Sequence, residues 1–189
     1  MIKEKRGFSI ELRATEADGV KTIEGYAAVF DKLSEKLGFF YEKIDKGAFR
    51  NVLNTGANVV LIHNHNTDNL LSSTNSNTLE LKEDDKGLHF RATLPKTLRG
   101  DEVYELVSSG VLSGMSFGFI AESDTWETVK GEDVRTIKEV GNLFEISTTA
   151  FPAYPDTSIA KRSFEKHCKK CTINSDNEKF YETLKNIKG

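Results

Sequence analysis

Gly110-Val-Leu-Ser-Gly-Met-Ser-Phe-Gly-Phe-Ile120 is the stretch that sets the order of elements in this chain. Residues 101–109, just before it, carry apolar side chains at helical spacing, and a strand is predicted from Ser116 onward. Ser116 lies between Gly114 and Gly118, and such neighbours leave a hydroxyl open to a bulky reactant and permit a backbone shape that other residues resist. Ser116 is therefore a candidate nucleophile, which needs an adjacent base, usually a histidine held by a third group.

The same residues match the pattern G-x-S-x-G, which in α/β-hydrolases marks a strand, a sharp turn and a helix in that order. Here the predicted helix comes before the serine and the strand after it. The hydrolase order of serine, acid and histidine would also leave only His167, in a lysine-rich tail, as the base. These observations disfavour an α/β-hydrolase. A serine without a catalytic role in a glycine-rich turn stays open as the alternative.

The composition bounds the class of protein. The chain has 189 residues, of which 38% are hydrophobic and 29% charged, and this is enough for one domain with its own core. A net charge of −3 gives no broad electrostatic reason to bind nucleic acid or an anionic membrane, so neither is predicted as a partner. The charged start is unlike a signal peptide and no long apolar run follows, which predicts a cytosolic protein.

The two cysteines, Cys168 and Cys171, form a C-x-x-C pair near the end of the chain. Such a pair can supply half of a zinc site, but a closed site needs four ligands and no second pair lies nearby in the sequence. We therefore expect reduced thiols that bind no metal.

Alternation of apolar and polar residues predicts a chain made mainly of strands. The predicted strands are 8–14, 20–30, 39–44, 58–65, 79–82, 88–94, 117–129, 134–140 and 143–151. Short amphipathic helices are predicted over 47–53 and 101–109, and Gly87 is expected to supply a left-handed turn conformation. Many short strands with few helices indicate a curved or closed, mostly antiparallel sheet, an α+β chain in which β dominates.

A change of composition divides the chain into two parts. Residues 1–162 are predicted to form the domain, and residues 163–189 a lysine-rich C-terminal extension. Phe180, Leu184 and Ile187 indicate an amphipathic helix within that extension.

His63 and His65, at the polar end of an apolar strand, are the histidines best placed to act on a serine. The period of two in a strand predicts that both imidazoles lie on one face. Two histidines at this spacing also suit a metal site, so metal binding and catalysis both stay open, beside a purely structural role. Glu145 is a lone charge in an apolar strand, where it points either into a site or outward to water.

Several short motifs together carry a family resemblance. They occur in the order found in phage prohead maturation proteases and cover residues 8–160, and six in order are hard to obtain by chance. They are Glu24-Gly-Tyr-Ala-Ala-Val-Phe30, Gly47-Ala-Phe49, Leu61-Ile-His-Asn-His-Asn66, Asp85-Lys-Gly-Leu88, the serine stretch over 110–119, and Leu143-Phe-Glu-Ile-Ser147 with Pro152-Ala153.

That family is similar to the herpesvirus assemblins, serine endopeptidases with a β-barrel wrapped by a few helices. The resemblance implies that His65 is the general base, Ser116 the nucleophile and Glu145 the third member, where the herpesvirus relatives use a second histidine. It implies no metal or organic cofactor. Asn66 replaces the usual aspartate after the histidine, and 71–74 departs from the family's usual glycine-containing pattern, which affects loop shape and specificity rather than these three groups.

The resemblance also implies a biological setting. A phage or prophage protease would cleave scaffolding segments of the major capsid protein inside the immature head, within the host cytoplasm, often with self-cleavage. A homo-oligomer is possible, because the herpesvirus relatives need dimerisation for activity. Two alternatives stay open: a capsid assembly factor without enzymatic activity on the same fold, and a metal-dependent hydrolase that uses His63 and His65.

Overall fold

The computed structural model describes residues 3–9, 12–152, 164–165 and 167–168. Within this part the chain forms ten strands and two helices. The strands are β1 (Glu4–Ser9), β2 (Arg13–Ala17), β3 (Val20–Val29), β4 (Phe40–Ile44), β5 (Val60–His63), β6 (Asn66–Ser73), β7 (Leu79–Glu83), β8 (Gly87–Thr93), β9 (Gly114–Val129) and β10 (Glu132–Thr149). The helices are α1 (Arg50–Asn54) and α2 (Leu98–Ser108).

The strands make two sheets. The first has the order β1-β9-β10-β5-β6, with β4 also paired to β10, and the second has the order β2-β3-β8-β7. Strands β4 and β5 run parallel to β10, and the other pairings are antiparallel. This confirms a mainly β chain with mostly antiparallel pairing. No pairing among the described strands closes either sheet on itself, so a closed barrel stays a prediction.

One face of β9 supplies much of the hydrophobic core. Met115, Phe117 and Phe119 alternate along this strand and are fully buried. Phe49 contacts Phe117 edge to face, with 5.6 Å between ring centroids. Because side chains alternate along a strand, Ser116 between them points to the opposite face of the sheet.

The two long strands differ from their predicted lengths. The segments predicted as 134–140 and 143–151 are one strand, β10, because shifts in its register with β9 absorb the irregular region between Ile137 and Glu145 without ending the pairing. The predicted hairpin turn at Lys130 and Gly131 is confirmed, with φ of 53° and 81°. Gly87 is not a left-handed turn residue; a side chain there would collide with the carbonyl oxygen of Ala28.

The predicted strand 58–65 ends at His63, and a second strand, β6, follows it. Asn64 and His65 have φ of 51° and 55°, and His63 pairs with Asn66 across them. They are therefore the two central residues of a tight hairpin turn, in which both residues adopt positive φ. The sequence hid this turn because it lacks glycine and because β6 begins with polar residues.

A buried cluster of four charged residues holds β1 against β4 and β10. Arg6 Nη2 lies 2.6 Å from Glu4 Oε2, and its Nε lies 2.6 Å from Glu42 Oε1. Arg135 Nη1 lies 2.7 Å from Glu4 Oε2 and 3.0 Å from Glu42 Oε2. Burial works to raise the pKa of Glu4, but the guanidinium groups of Arg6 and Arg135 outweigh it and hold that pKa below its ordinary value.

Two described residues of the predicted C-terminal extension contact the start of β4 and the far end of the β9–β10 hairpin. Phe164 stacks on Phe39 and Phe40 with centroid distances of 5.6 and 6.2 Å. His167 stacks on Trp126 at 4.4 Å. The predicted helix through Phe180 and the second cysteine lie outside the described residues. No helix in the described part is long and apolar enough to cross a membrane.

Candidate active site

Ser116 is the third residue of β9 and is 3% exposed, so the expectation that its small neighbours leave the hydroxyl open to a bulky reactant is wrong for this conformation. Gly114 and Gly118 share its face, and neither has positive φ. A side chain at Gly118 would place its Cβ 2.8 Å from Glu145 Oε1, and one at Gly114 would meet the Thr149 carbonyl. The expectation of an unusual backbone at these glycines is therefore wrong; glycine is needed because neighbouring groups approach closely.

His65 is held by β10 through its side chain and its backbone. Its Nδ1 lies 2.8 Å from Glu145 Oε1, and its backbone N–H donates to Ser147 Oγ at 2.9 Å. The preceding amide, of Asn64, donates to the carbonyl of Thr148 at 2.8 Å. The hairpin turn that carries the imidazole is thus fixed to one strand at three points.

Glu145 lies in β10 directly across from Gly118 and is 5% exposed. Of the two orientations that the sequence left open, the carboxylate takes the inward one. Oε1 accepts from the His65 imidazole, which places the second imidazole nitrogen, Nε2, at the far side of the ring. Oε2 is buried and has no hydrogen-bond partner within the described residues. A buried carboxylate beside an imidazole is suited to orient the ring and to stabilise its positive charge.

The register of β9 and β10 brings the serine to the same face as these groups. Ser116 pairs with Ser147, and Gly118 pairs with Glu145. Since paired residues of neighbouring strands point to the same side of a sheet, Ser116, Glu145 and the serine that binds the His65 backbone share one face. The Ser116 hydroxyl donates to the carbonyl of Arg6 on β1 at 2.8 Å. In the described part of the chain it makes no hydrogen bond to His65; catalytic hydrogen bonds are often looser without substrate.

His63 does not belong to this face. Its Nδ1 donates to Thr148 Oγ1 at 2.9 Å, and its Nε2 accepts from the side-chain amide of Asn64 at 3.0 Å. Thr148 and Ser147 are successive strand residues and point to opposite sides. The prediction that both imidazoles share a face is therefore wrong, because His65 lies in the turn and not in the strand. Burial, and then the nearby charge of Arg99, lower the pKa of His63.

Two contacts at the site involve residues that were not singled out from the sequence. The sequence did contain a signal for Ser147, because this residue lies two positions after Glu145 and a strand places both side chains on one face. No sequence signal pointed to Arg6, because its contact with Ser116 depends on the pairing of Gly7 with Ser116, which are far apart in the chain.

The family model described as the caudovirus prohead serine protease matches residues 8–170. The chain belongs to this family. Among solved structures, the capsid assembly protease of bacteriophage T4 is similar over 77% of this chain and 98% of its own, with 13% sequence identity and a TM-score of 0.45. A likeness at that level adds nothing to the assignment. No curated protein matches.

This prohead protease is a serine peptidase, which confirms the family and the class of reaction predicted from the sequence. Ser116 lies on the face of the sheet that also bears Glu145, whose carboxylate bonds His65.

Proposed function

We propose that Ser116, His65 and Glu145 are the catalytic triad of this prohead protease. The observation that carries the proposal is the 2.8 Å contact between His65 Nδ1 and Glu145 Oε1, on the face of the sheet that also bears Ser116. A metal site at His63 and His65 is disfavoured, because the two rings bind partners on opposite faces.

In the proposed mechanism, the Ser116 hydroxyl turns from the Arg6 carbonyl towards His65. Nε2 of His65 takes the hydroxyl proton while Oγ attacks the scissile carbonyl carbon, and the protonated imidazole then gives that proton to the leaving amine. Glu145 keeps the Nδ1–H directed towards itself and stabilises the imidazolium. Water, activated by the same imidazole, then hydrolyses the acyl-enzyme and restores the serine. Backbone N–H groups near the serine would stabilise the oxyanion.

We further propose that the substrate is the major capsid protein or its scaffolding segment, cleaved during prohead maturation, with self-cleavage of the chain. The family description and the order of the sequence motifs support this setting. The enzyme would act inside the immature capsid in the host cytoplasm, through a domain of residues 1–162 with an extension over 163–189, and a homo-oligomer is part of the proposal. A closed, assemblin-like barrel is proposed from the resemblance.

The test is co-expression with the cognate capsid protein, followed by intact-mass measurement of both chains. We expect trimming with the wild type and none with Ser116→Ala. Ser113→Ala is the matched control, because Ser113 is exposed and lies three residues before the nucleophile; it should trim normally. Trimming by Ser116→Ala would exclude Ser116 as nucleophile. If proheads assemble but neither the wild type nor any variant trims the capsid protein, the proposal of cleavage would be given up in favour of a non-enzymatic role in assembly.

A further inference from the structure

We propose that Ser147 is a positioning residue that fixes the backbone of His65 and so sets where the imidazole stands relative to Ser116. The proposal rests on the proposed triad and adds a fourth residue to it, one that touches neither substrate nor the transferred proton.

The hydroxyl of Ser147 makes one hydrogen bond as acceptor and one as donor. It accepts from the His65 backbone N–H at 2.9 Å and donates to the Thr148 carbonyl at 3.3 Å. A backbone N–H can only donate, so the direction of the first bond is fixed. Ser147 is 0% exposed, so water has no access to replace the hydroxyl there.

The residue held by this bond has a conformation that needs support. His65 has φ of 55°, in the left-handed region that is unfavourable for a side chain other than glycine. Such conformations persist where the surrounding structure holds them, often at functional sites. The bond from Ser147 is a side-chain bond, so a single substitution removes it without changing the backbone pairing of the turn.

The two bonds from β10 divide the task of holding the histidine. Glu145 binds the ring at Nδ1, which leaves the ring free to pivot about that contact. Ser147 binds the backbone of the same residue and, together with the bond from the Asn64 amide to the Thr148 carbonyl, limits that movement. Because Ser147 is also the cross-strand partner of Ser116, one side chain links the position of the base to that of the nucleophile.

A second buried serine in the same sheet provides a matched control. Ser72 in β6 is 5% exposed, and its hydroxyl has no hydrogen-bond partner within the described part. Ser72→Ala therefore removes a buried hydroxyl without removing a hydrogen bond. Ser147→Cys is the second variant at the site: it is close in size to serine, but sulfur is a weak acceptor.

The test measures modification of the full chain by a fluorophosphonate, with the maximal rate (kinact) separated from reagent binding (KI), and hydrogen exchange of the His65 backbone amide by NMR. We expect Ser147→Ala to lower kinact by about 100-fold, the typical cost of a small misplacement of a catalytic group. KI should not change, and the His65 amide should exchange faster. Ser147→Cys should change the same two quantities in the same direction, and Ser72→Ala should change neither.

Two outcomes overturn the inference: kinact of both Ser147 variants equal to that of Ser72→Ala, or a fall in kinact/KI that comes entirely from a raised KI. If Ser147→Ala does not fold, Ser147→Cys decides alone. If the wild type is not modified at Ser116 even at concentrations at which it forms an oligomer, the proposed triad fails instead. The amide exchange then still tests the anchoring, and an unchanged rate in Ser147→Ala refutes it.

Discussion

Arg135→Met should strongly destabilise the folded protein. Methionine keeps most of the side-chain length but removes the charge that lies within 3.0 Å of Glu4 and Glu42. These two buried carboxylates then share the single guanidinium of Arg6. Removal of one partner from a buried ion pair typically costs about 3–5 kcal/mol, a large part of the roughly 5–15 kcal/mol that stabilises a domain.

Urea unfolding followed by circular dichroism measures this loss. Lys138→Met is the matched control on the same strand. Lys138 pairs with Asp45 at 2.6 Å, but their side chains are 43% and 37% exposed. An exposed pair contributes about 0–1 kcal/mol, so the control should change the free energy of unfolding by no more than that.

The dependence on pH gives a second check with a definite sign. In the wild type the folded pKa of Glu4 is depressed, so its contribution to stability is present above about pH 4.3 and is lost as the pH falls through the folded pKa. In Arg135→Met, burial still raises the pKa of Glu4, but only the guanidinium of Arg6 lowers it. The folded pKa of Glu4 should therefore rise, and protonation of its carboxylate should reduce the loss of stability. The difference in free energy of unfolding between wild type and variant should narrow as the pH falls from 7 towards the wild-type pKa of Glu4. A loss no larger than that of Lys138→Met, or a gap independent of pH, would refute the reasoning.

Three further predictions concern the site and the C-terminal contact. Glu145→Gln should slow modification of Ser116 by a fluorophosphonate by about 100- to 10,000-fold, because an amide orients and stabilises the imidazole poorly; an equal effect of Glu139→Gln, a half-buried carboxylate on the same strand that bonds Asn51, would argue against this. Gly118→Ala should slow it too, because its Cβ would press on Glu145, whereas the added methyl of Gly141→Ala meets only a flexible exposed side chain and should have no effect. Trp126→Ala should speed removal of the C-terminal residues by trypsin, seen by intact mass, through loss of aromatic contacts worth about 0.5–1.5 kcal/mol each; unchanged digestion would show that they do not hold the segment.

The sequence predicted local elements better than it predicted their partners. Period-two alternation located most strands, and a glycine at position 131 located a hairpin turn. The turn at Asn64 and His65 was missed because two ordinary residues adopt positive φ there. The parallel pairing of β4 and β5 with β10, and the cluster around Arg135, join residues that are far apart in the chain, and alternation carries no information on such pairings.

The candidate site was only partly available from residue patterns. Spacing alone left catalysis, metal binding and structural roles open for His65, and left Glu145 pointing either way. The family resemblance selected among these roles. The reason for the glycines beside Ser116 and the anchoring of the His65 backbone by Ser147 depend on the register of β9 and β10, which the sequence does not encode in any short motif.

The contact between His167 and Trp126 bears on how this chain would trim its own C-terminus. Trp126 and Ser116 lie on the same strand, ten residues apart, which is about 33 Å along it at about 3.3 Å per residue. While the stacking persists, peptide bonds next to His167 are held well away from the serine of the same molecule. Under the proposed self-cleavage, a bond within the first few residues after His167 would therefore be cut by a neighbouring copy, because about ten extended residues are needed to span that distance. The rate of such cleavage would depend on how densely the enzyme is packed.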